Sequence, residues 1–239
     1  MARRRFFVDD VRHGVAEIAG DDAHHLTRVL RVEKGQQYEI SDNARVYLAE
    51  VTEAHRARVV FQIIEPVEAQ ELPVRVTLAA ALFKFDRFEW MIEKATELGV
   101  DAIIPFESAR TEKGLLAAAR KRVERWRRIA RESSQQSRRV KQPEIADPVR
   151  GIEAGAWQYR LVLDERGGAP LLEAIPAARR AGDTVCLLAG PEGGWTDGER
   201  ERFATAWTPV SLGPQTLRAE TAALAAVAVI TNAWLLAGE

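Results

Sequence analysis

Leu188-Ala-Gly-Pro-Glu-Gly-Gly-Trp-Thr-Asp-Gly-Glu199 and Leu212-Gly-Pro-Gln-Thr-Leu-Arg-Ala-Glu-Thr-Ala222 decide the reading of this chain. Each stretch follows a short apolar run and leads into a helical pattern. Two strand-to-helix turns spaced about twenty residues apart can bring two loops to one edge of a parallel sheet, outside the carboxyl ends of the strands, where ligands bind. Gly190, Gly193, Gly194 and Gly213 permit backbone angles and close approaches that a side chain would block. Pro191 and Pro214 fix φ and stiffen both loops. The bland alternative is a pair of ordinary turns. Neither stretch contains the Gly-Lys-Ser/Thr of nucleotide triphosphate loops or the G-x-G-x-x-G of dinucleotide sites.

Upstream, the pattern supports such a sheet. The run 76–83 is continuously apolar, as in a strand buried on both faces. Residues 86–98 then read as an amphipathic helix with Phe88, Met91, Ile92, Ala95 and Leu98 on one face. Asp86 is the expected N-cap, Glu89 follows three residues later, and Gly99 marks the stop. Strands are expected at 100–106, 160–163, 184–189 and 210–212, with one long helix over 115–137. Alternating strands and helices predict an α/β domain with a parallel sheet over 74–239. Residues 1–70 read differently, as short strands with partial period-two alternation and one helix at 24–32. They predict a small β-barrel-like domain, joined to the second by a linker at 66–73.

Net charge is −1, from 34 Lys+Arg and 35 Asp+Glu, so global charge identifies no partner. Its distribution does. Residues 120–141 carry Arg120, Lys121, Arg122, Arg125, Arg127, Arg128, Arg131, Arg138, Arg139 and Lys141 against only Glu124 and Glu132. Arg3, Arg4 and Arg5 open the chain. Local basic clusters on a neutral protein are the footprint of nucleic-acid contact. The single cysteine, Cys186, excludes an intramolecular disulfide and fits a reducing cytoplasm. It lies in an apolar strand and reads as core. The C-terminal run 219–237 is apolar but interrupted by Glu220, Thr221, Thr231 and Asn232, so a packed or subunit-interface helix is expected rather than a membrane span. His24-His25 has no accompanying ligand cluster, and no metal site is expected.

The paired loops resemble the C-terminal signature of the SPOUT-class methyltransferases. Gly190-Pro-Glu-Gly-Gly194 followed by Leu212-Gly-Pro and Leu217-Arg218-x-Glu220-Thr221-Ala222 is similar to the RsmE-type branch, which methylates N3 of a uridine in 16S (small-subunit) ribosomal RNA. Arg4-Arg5-Phe6-Phe7, His24-His25-Leu-Thr-Arg28-Val-Leu-Arg31 and Glu93-Lys94-Ala-Thr96-Glu97-Leu-Gly99 resemble other segments of that family. Gln136-Ser137-x-Arg139 resembles a stretch that usually reads Glu-Gln-Ser-Gly-Arg; Gln135 and Arg138 depart from it.

The resemblance implies a trefoil-knotted SPOUT domain preceded by a PUA-like RNA-binding barrel. It implies S-adenosylmethionine as cofactor, held by Leu188, Gly190, Gly193, Leu212, Gly213, Leu217 and Ala222. It implies a homodimer, for which the C-terminal helix supplies an isologous face. RNA contacts are assigned to Arg3, Arg4, Arg5, His25, Arg28, Arg31, Arg127, Arg131, Arg138 and Arg139. N3 methylation needs an electropositive group beside the developing uridine anion, and Arg218 is the candidate, with Glu220 beside it. The same two residues could instead form a local ion pair at the helix start. Glu192 could orient a loop or be solvated. Trp195 could cover the cofactor or stack on a base. The residues alone leave open a different target nucleotide, or a non-catalytic RNA-binding assembly factor.

Overall fold

The computed structural model describes residues 4–236, which divide into two compact units. The first contains residues up to Glu71 together with Ser134–Gln142; the second contains Leu72–Ser133 and the chain from Pro143 onward.

The first unit contains β1 (Arg5–Phe7), β2 (Val11–Arg12), β3 (Val15–Ala19), α1 (Gly20–Arg28), β4 (Gln37–Ser41), β5 (Val46–His55) and β6 (Arg58–Val67). The strands form one sheet in the order β1-β4-β5-β6-β3-β2. β3 alternates buried and exposed residues, and its Ala16 and Ile18 join Phe6, Ile40, Val51 and Phe61 in a core closed by Ala23 and Leu26 of α1. Register shifts at Leu48/Ala49 and Val51/Glu53 bend the long β5–β6 hairpin. The helix expected at 24–32 begins earlier and ends at Arg28.

Segment 134–142 completes this unit. Val140 O accepts from Ser41 Oγ, and Gln142 N donates to Asn43 Oδ1 at 3.1 Å. Arg138 takes φ 56°, a left-handed conformation that costs a residue with a Cβ. This is the position where the resembled pattern has glycine.

The second unit contains β7 (Val74–Ala81), α2 (Phe85–Glu97), β8 (Ala102–Glu107), α3 (Leu115–Arg120), most of α4 (Val123–Gln136), β9 (Glu144–Ile145), β10 (Val149–Arg150), β11 (Tyr159–Leu163), β12 (Ala169–Pro170), α5 (Leu171–Ala174), β13 (Asp183–Ala189), α6 (Asp197–Phe203), β14 (Thr208–Ser211) and α7 (Ala219–Leu235). Its sheet runs β10-β8-β7-β13-β11-β14-β12, with β9 beside β8. Every pairing in it is parallel. β7 and β13 are the apolar centre, covered on one face by α2 and α7 through Phe88, Met91, Ala223, Ala226 and Val227.

The order of the last strands places the site. From β11 the chain passes through β12 at the sheet edge beyond β14, crosses to β13 on one side of β11, then returns to β14 on the other. The loops leaving β13 and β14 therefore flank the carboxyl end of β11, a switch point of the sheet. The interleaved order is consistent with a knotted SPOUT-like core.

Two local expectations are corrected. The helix over 115–137 is broken into α3 and α4 at Lys121-Arg122, although no Gly or Pro lies between them. Asp86 is not the N-cap of α2: Lys84 occupies that position, and Asp86 lies in the first turn, where its charge favours the helix N-terminus.

Candidate functional site

A cleft of about 490 Å³ opens at the carboxyl ends of β11, β13 and β14. Its walls are residues 163–165, 189–195 and 210–219, together with Ala222 of α7. The volume suits a small organic ligand. Gly190, Gly193, Leu212, Gly213, Leu217, Arg218 and Ala222 all line it, so residues from both glycine loops meet at one place.

The first loop is shaped around Trp195. Its indole is buried at 1% exposure, stacks parallel to Phe106 and donates from Nε1 to Leu163 O at 2.7 Å. A Cβ on Gly190 would lie 2.9 Å from that indole, so glycine is what lets the ring pass beneath the loop. Gly194 has φ +68°, and a Cβ there would lie 2.3 Å from Glu165 Oε1. Trp195 thus anchors the loop and forms part of the cleft wall, with too little of its ring exposed to stack on a base. Leu188 is also fully buried. It packs below the loop with Trp195 and Phe203 instead of facing the cleft.

After Trp195 the chain enters α6 through a capping box. Thr196 Oγ1 accepts from Glu199 N, while Glu199 Oε2 accepts from Thr196 N. Glu199 also accepts from Ala109 N at 2.9 Å. Burial pushes its carboxyl up, but the hydrogen bonds from Ala109 and Thr196 outweigh that and hold it below the ordinary carboxylate range. One turn on, Arg200 reaches Asp164 with three contacts of 2.9–3.2 Å, Glu165 at 2.8 Å and Trp195 O at 2.6 Å. Burial likewise raises Asp164, and the Arg200 hydrogen bonds more than reverse it. Arg110 donates to Gly193 O from the other side.

The second loop is more open. Residues 213–218 are exposed, and Leu217 is 37% exposed. Arg218 is the N-cap of α7, with φ −66° and ψ 152°, and its side chain lines the cleft mouth. It forms no ion pair with Glu220. Glu220 is buried at 6% exposure and faces Arg87 of α2, 3.8 Å from Arg87 Nε, with its Oε2 lacking a hydrogen-bond partner. Arg87 also pairs with Glu192 at 2.7 Å, which ties the loop to α2 although the Glu192 side chain stays exposed. The residues alone gave no sign of Arg87, Asp164 or Arg200. The capping box was legible as Thr-x-x-Glu.

The basic residues divide. Arg4, His25, Arg28 and Arg31 are exposed. Arg5 is not: it is 3% exposed and bonded to Glu39 at 2.7 and 3.0 Å, so its expected RNA contact gives way to a buried ion pair. Arg138 shares Glu39. Arg127 is exposed but tied to Glu124, Asp147 and Ile145 O. Arg131 and Arg139 are half-buried. Arg3 lies outside the described residues.

Cys186 is fully enclosed, and burial pushes its thiol up to about 12. Among the described residues, no group of three His, Cys, Asp or Glu side chains could hold a metal, and no helix is long and apolar enough to cross a membrane.

The chain that forms this parallel sheet and cleft, and the separate strand-rich unit, matches two family models. Residues 70–231 match an RNA methyltransferase domain and residues 18–64 an RNA methyltransferase PUA domain. The protein is thus an RNA methyltransferase by class. The chain is 32% identical to the ribosomal RNA small subunit methyltransferase E of Bacillus subtilis over 95% of its own length and 96% of that protein's. It is 39% identical to the Synechocystis protein of that name, covering 87% of this chain and 69% of the relative. The chain belongs to the ribosomal RNA small subunit methyltransferase E family. The Neisseria gonorrhoeae member, solved bound to S-adenosyl methionine, superposes with a TM-score of 0.85 at 26% identity, covering 97% of this chain and 98% of that one. A Legionella pneumophila methyltransferase solved with the same cofactor gives 0.87 at 26% identity, covering 98% of each chain.

Proposed function

We propose that this protein transfers the methyl group of S-adenosylmethionine to N3 of a uridine in 16S ribosomal RNA. The observation that carries the reading is the meeting of both glycine loops at one cleft. The cleft fits the cofactor chemically. Gly190 and residues 213–218 offer backbone donors and acceptors, Leu212 and Leu217 are apolar, and Asp164, Glu165 and Glu192 place carboxylates around a cationic ligand.

When bound, the cofactor supplies a methyl group made electrophilic by its sulfonium. The protein's own residues orient and stabilise. The N3 proton of uridine would pass to water, and N3 would attack the methyl carbon in line as the carbon–sulfur bond breaks and S-adenosylhomocysteine leaves, which requires both partners to be held. Arg218 at the cleft mouth stabilises the negative charge spreading over the uracil ring. Glu220, buried one turn-position further, fixes the start of α7 together with Arg87 and so directs Arg218.

The same reading includes RNA contacts by exposed Arg4, His25, Arg28 and Arg31, with Arg127, Arg131, Arg138 and Arg139 as further candidates whose present partners must be shared. It includes a cytoplasmic homodimer formed through α7, where Ala225, Ala228 and Val229 are half-exposed and Leu235 is 52% exposed.

The test is methylation of small subunits lacking N3-methyluridine with labelled S-adenosylmethionine. Label in N3-methyluridine is the expected result. Label in another nucleotide would reject the target, and cofactor binding without any transfer would reject this acceptor.

A further inference from the structure

Three carboxyl-edge segments form the cleft, and they have no covalent tie to one another there. Asp164 and Glu165 follow β11, and Gly190–Trp195 follow β13. One side chain joins these two segments with five contacts. Arg200 binds both Asp164 oxygens, Glu165 Oε1 and Trp195 O, all between 2.6 and 3.2 Å. The pair is well shielded: the side chains of Arg200 and Asp164 are 18% and 12% exposed. Gly194 makes room for it, since a Cβ there would collide with the Glu165 carboxylate. A planar guanidinium bonded to two carboxylates and a carbonyl fixes both direction and distance, which a lysine ammonium does not.

We propose that Arg200 is a positioning residue for the methyl donor, fastening the loop after β11 to the first glycine loop so that the cleft holds its ligand-binding shape. It lies outside the cleft lining and acts through Asp164, Glu165 and Trp195, which are part of it. The inference rests on the cofactor reading of the cleft.

Two effects of removing Arg200 have opposite signs. Loosening the loops weakens every ligand of the cleft. Uncovering two carboxylates strengthens the hold on a cation by Coulomb attraction. S-adenosylmethionine carries a sulfonium charge that S-adenosylhomocysteine lacks, so comparing the two separates the effects. Positioning by Arg200 requires that both lose affinity together.

The experiment measures both dissociation constants by calorimetry on the full chain, for wild type, Arg200→Met and Arg200→Lys. Asp183→Asn serves as a control, since it removes the charge from the acceptor of Trp234 Nε1 and Arg180 N at the amino end of β13, away from the cleft. Arg200→Met is expected to weaken both ligands, S-adenosylhomocysteine about tenfold and the cationic S-adenosylmethionine somewhat less, as loosened loops with two uncovered carboxylates imply. RNA affinity and kcat at saturating donor stay within about threefold. Arg200→Lys recovers part of the loss, and Asp183→Asn, at equal or greater loss of melting temperature, shows none.

Unchanged affinity in Arg200→Met overturns the proposal. So does tighter binding of the cationic ligand alone, or an equal loss in Asp183→Asn. If Arg200→Met does not fold, Arg200→Lys decides by the same criteria. Failure of wild type to bind either ligand overturns the cofactor reading itself, and is distinguished from failure of this proposal by that result alone.

Discussion

Arg87, in the first turn of α2, donates to Glu192 in the first glycine loop at 2.7 Å across a sequence separation of 105 residues. The same guanidinium is the charged neighbour of Glu220 at 3.8 Å. One residue of the first βα unit therefore contacts both segments that carry the family signature. Arg87→Met should raise KM for the methyl donor by up to about fivefold while kcat changes less, because a half-exposed ion pair contributes modestly. Initial rates at saturating RNA check this. A KM equal to wild type would show that Arg110, Trp195 and Arg200 hold the loop without Arg87.

Under the proposed function, Arg218 serves the chemical step rather than donor binding. It lines the cleft and has no carboxylate partner among the described residues. Arg218→Ala should lower kcat by about 10²-fold or more, the size of effect seen when one charge-stabilising group is lost. Donor affinity should stay near wild type. Single-turnover rates with calorimetric binding separate the two; equal losses in both would move Arg218 into the donor site.

A charge at Ala226 does not test association through α7. Ala226 is fully buried within the single chain, among Ala223, Val227 and Ile230. Ala226→Glu should unfold the protein, since an unpaired carboxylate in such a core costs several kcal/mol. Ala225→Glu and Leu235→Glu change residues with accessible surface. Each should retain its circular dichroism and elute at half the wild-type mass by light scattering. A wild-type mass of one chain would remove the dimer from the reading.

Asp164 and Glu199 make stability depend on pH in a definite direction. Both are held below the ordinary range, Asp164 by Arg200 and the Arg166 N–H, Glu199 by backbone N–H groups and Thr196, against the upward push of burial. A depressed folded pKa stabilises above the unfolded value of about 4 and loses that contribution as pH falls through the folded value. The urea midpoint should therefore fall between pH 5 and 3, with ~4 as the centre of the window. Asp164→Asn should start lower at pH 7 and fall less. A parallel decline in both proteins would exclude Asp164 as a source of acid sensitivity.

Arg5 and Arg28 separate structure from RNA contact. Arg5→Ala leaves the buried Glu39 carboxylate with Arg138 as its remaining arginine partner, and should cost about 3 kcal/mol of stability. Arg28→Ala, at an exposed position, should leave stability unchanged and reduce the slope of log K against log salt by about 0.7 to 0.9. Thermal melts and binding at several salt concentrations distinguish them. Loss of the slope without loss of stability in Arg5→Ala would reverse the assignment.

What could be read from the chain depended on range. The glycine loops, the α2 face and the buried strands β7 and β13 are local patterns of spacing and apolarity, and they appear in the fold as expected. The pairs that shape the site are separated by 36 residues for Arg200–Asp164 and 105 for Arg87–Glu192. No periodicity links residues so far apart, so each arginine looked like another surface charge. The burial of Trp195 was not legible for a related reason. Its neighbours Gly194 and Thr196 mark a turn, and only the approach of Phe106, Phe203 and Leu163 buries the ring. Arg138 shows the converse: a basic residue in a basic run, yet held at a left-handed backbone angle and shared with Arg5 on one carboxylate.

The return of Ser134–Gln142 to the first unit has a consequence for how this protein can be cut and how it is made. A fragment ending at Glu71 would lack Arg138, Val140 and Gln142, and so deprive Glu39, Ser41 and Asn43 of partners. On the ribosome, the strand-rich half cannot finish folding when its own strands emerge; it must wait for a stretch synthesised after α2, β7 and β8. Transplanting that half onto another protein therefore calls for two pieces of chain, joined by a new connection in place of residues 72–133.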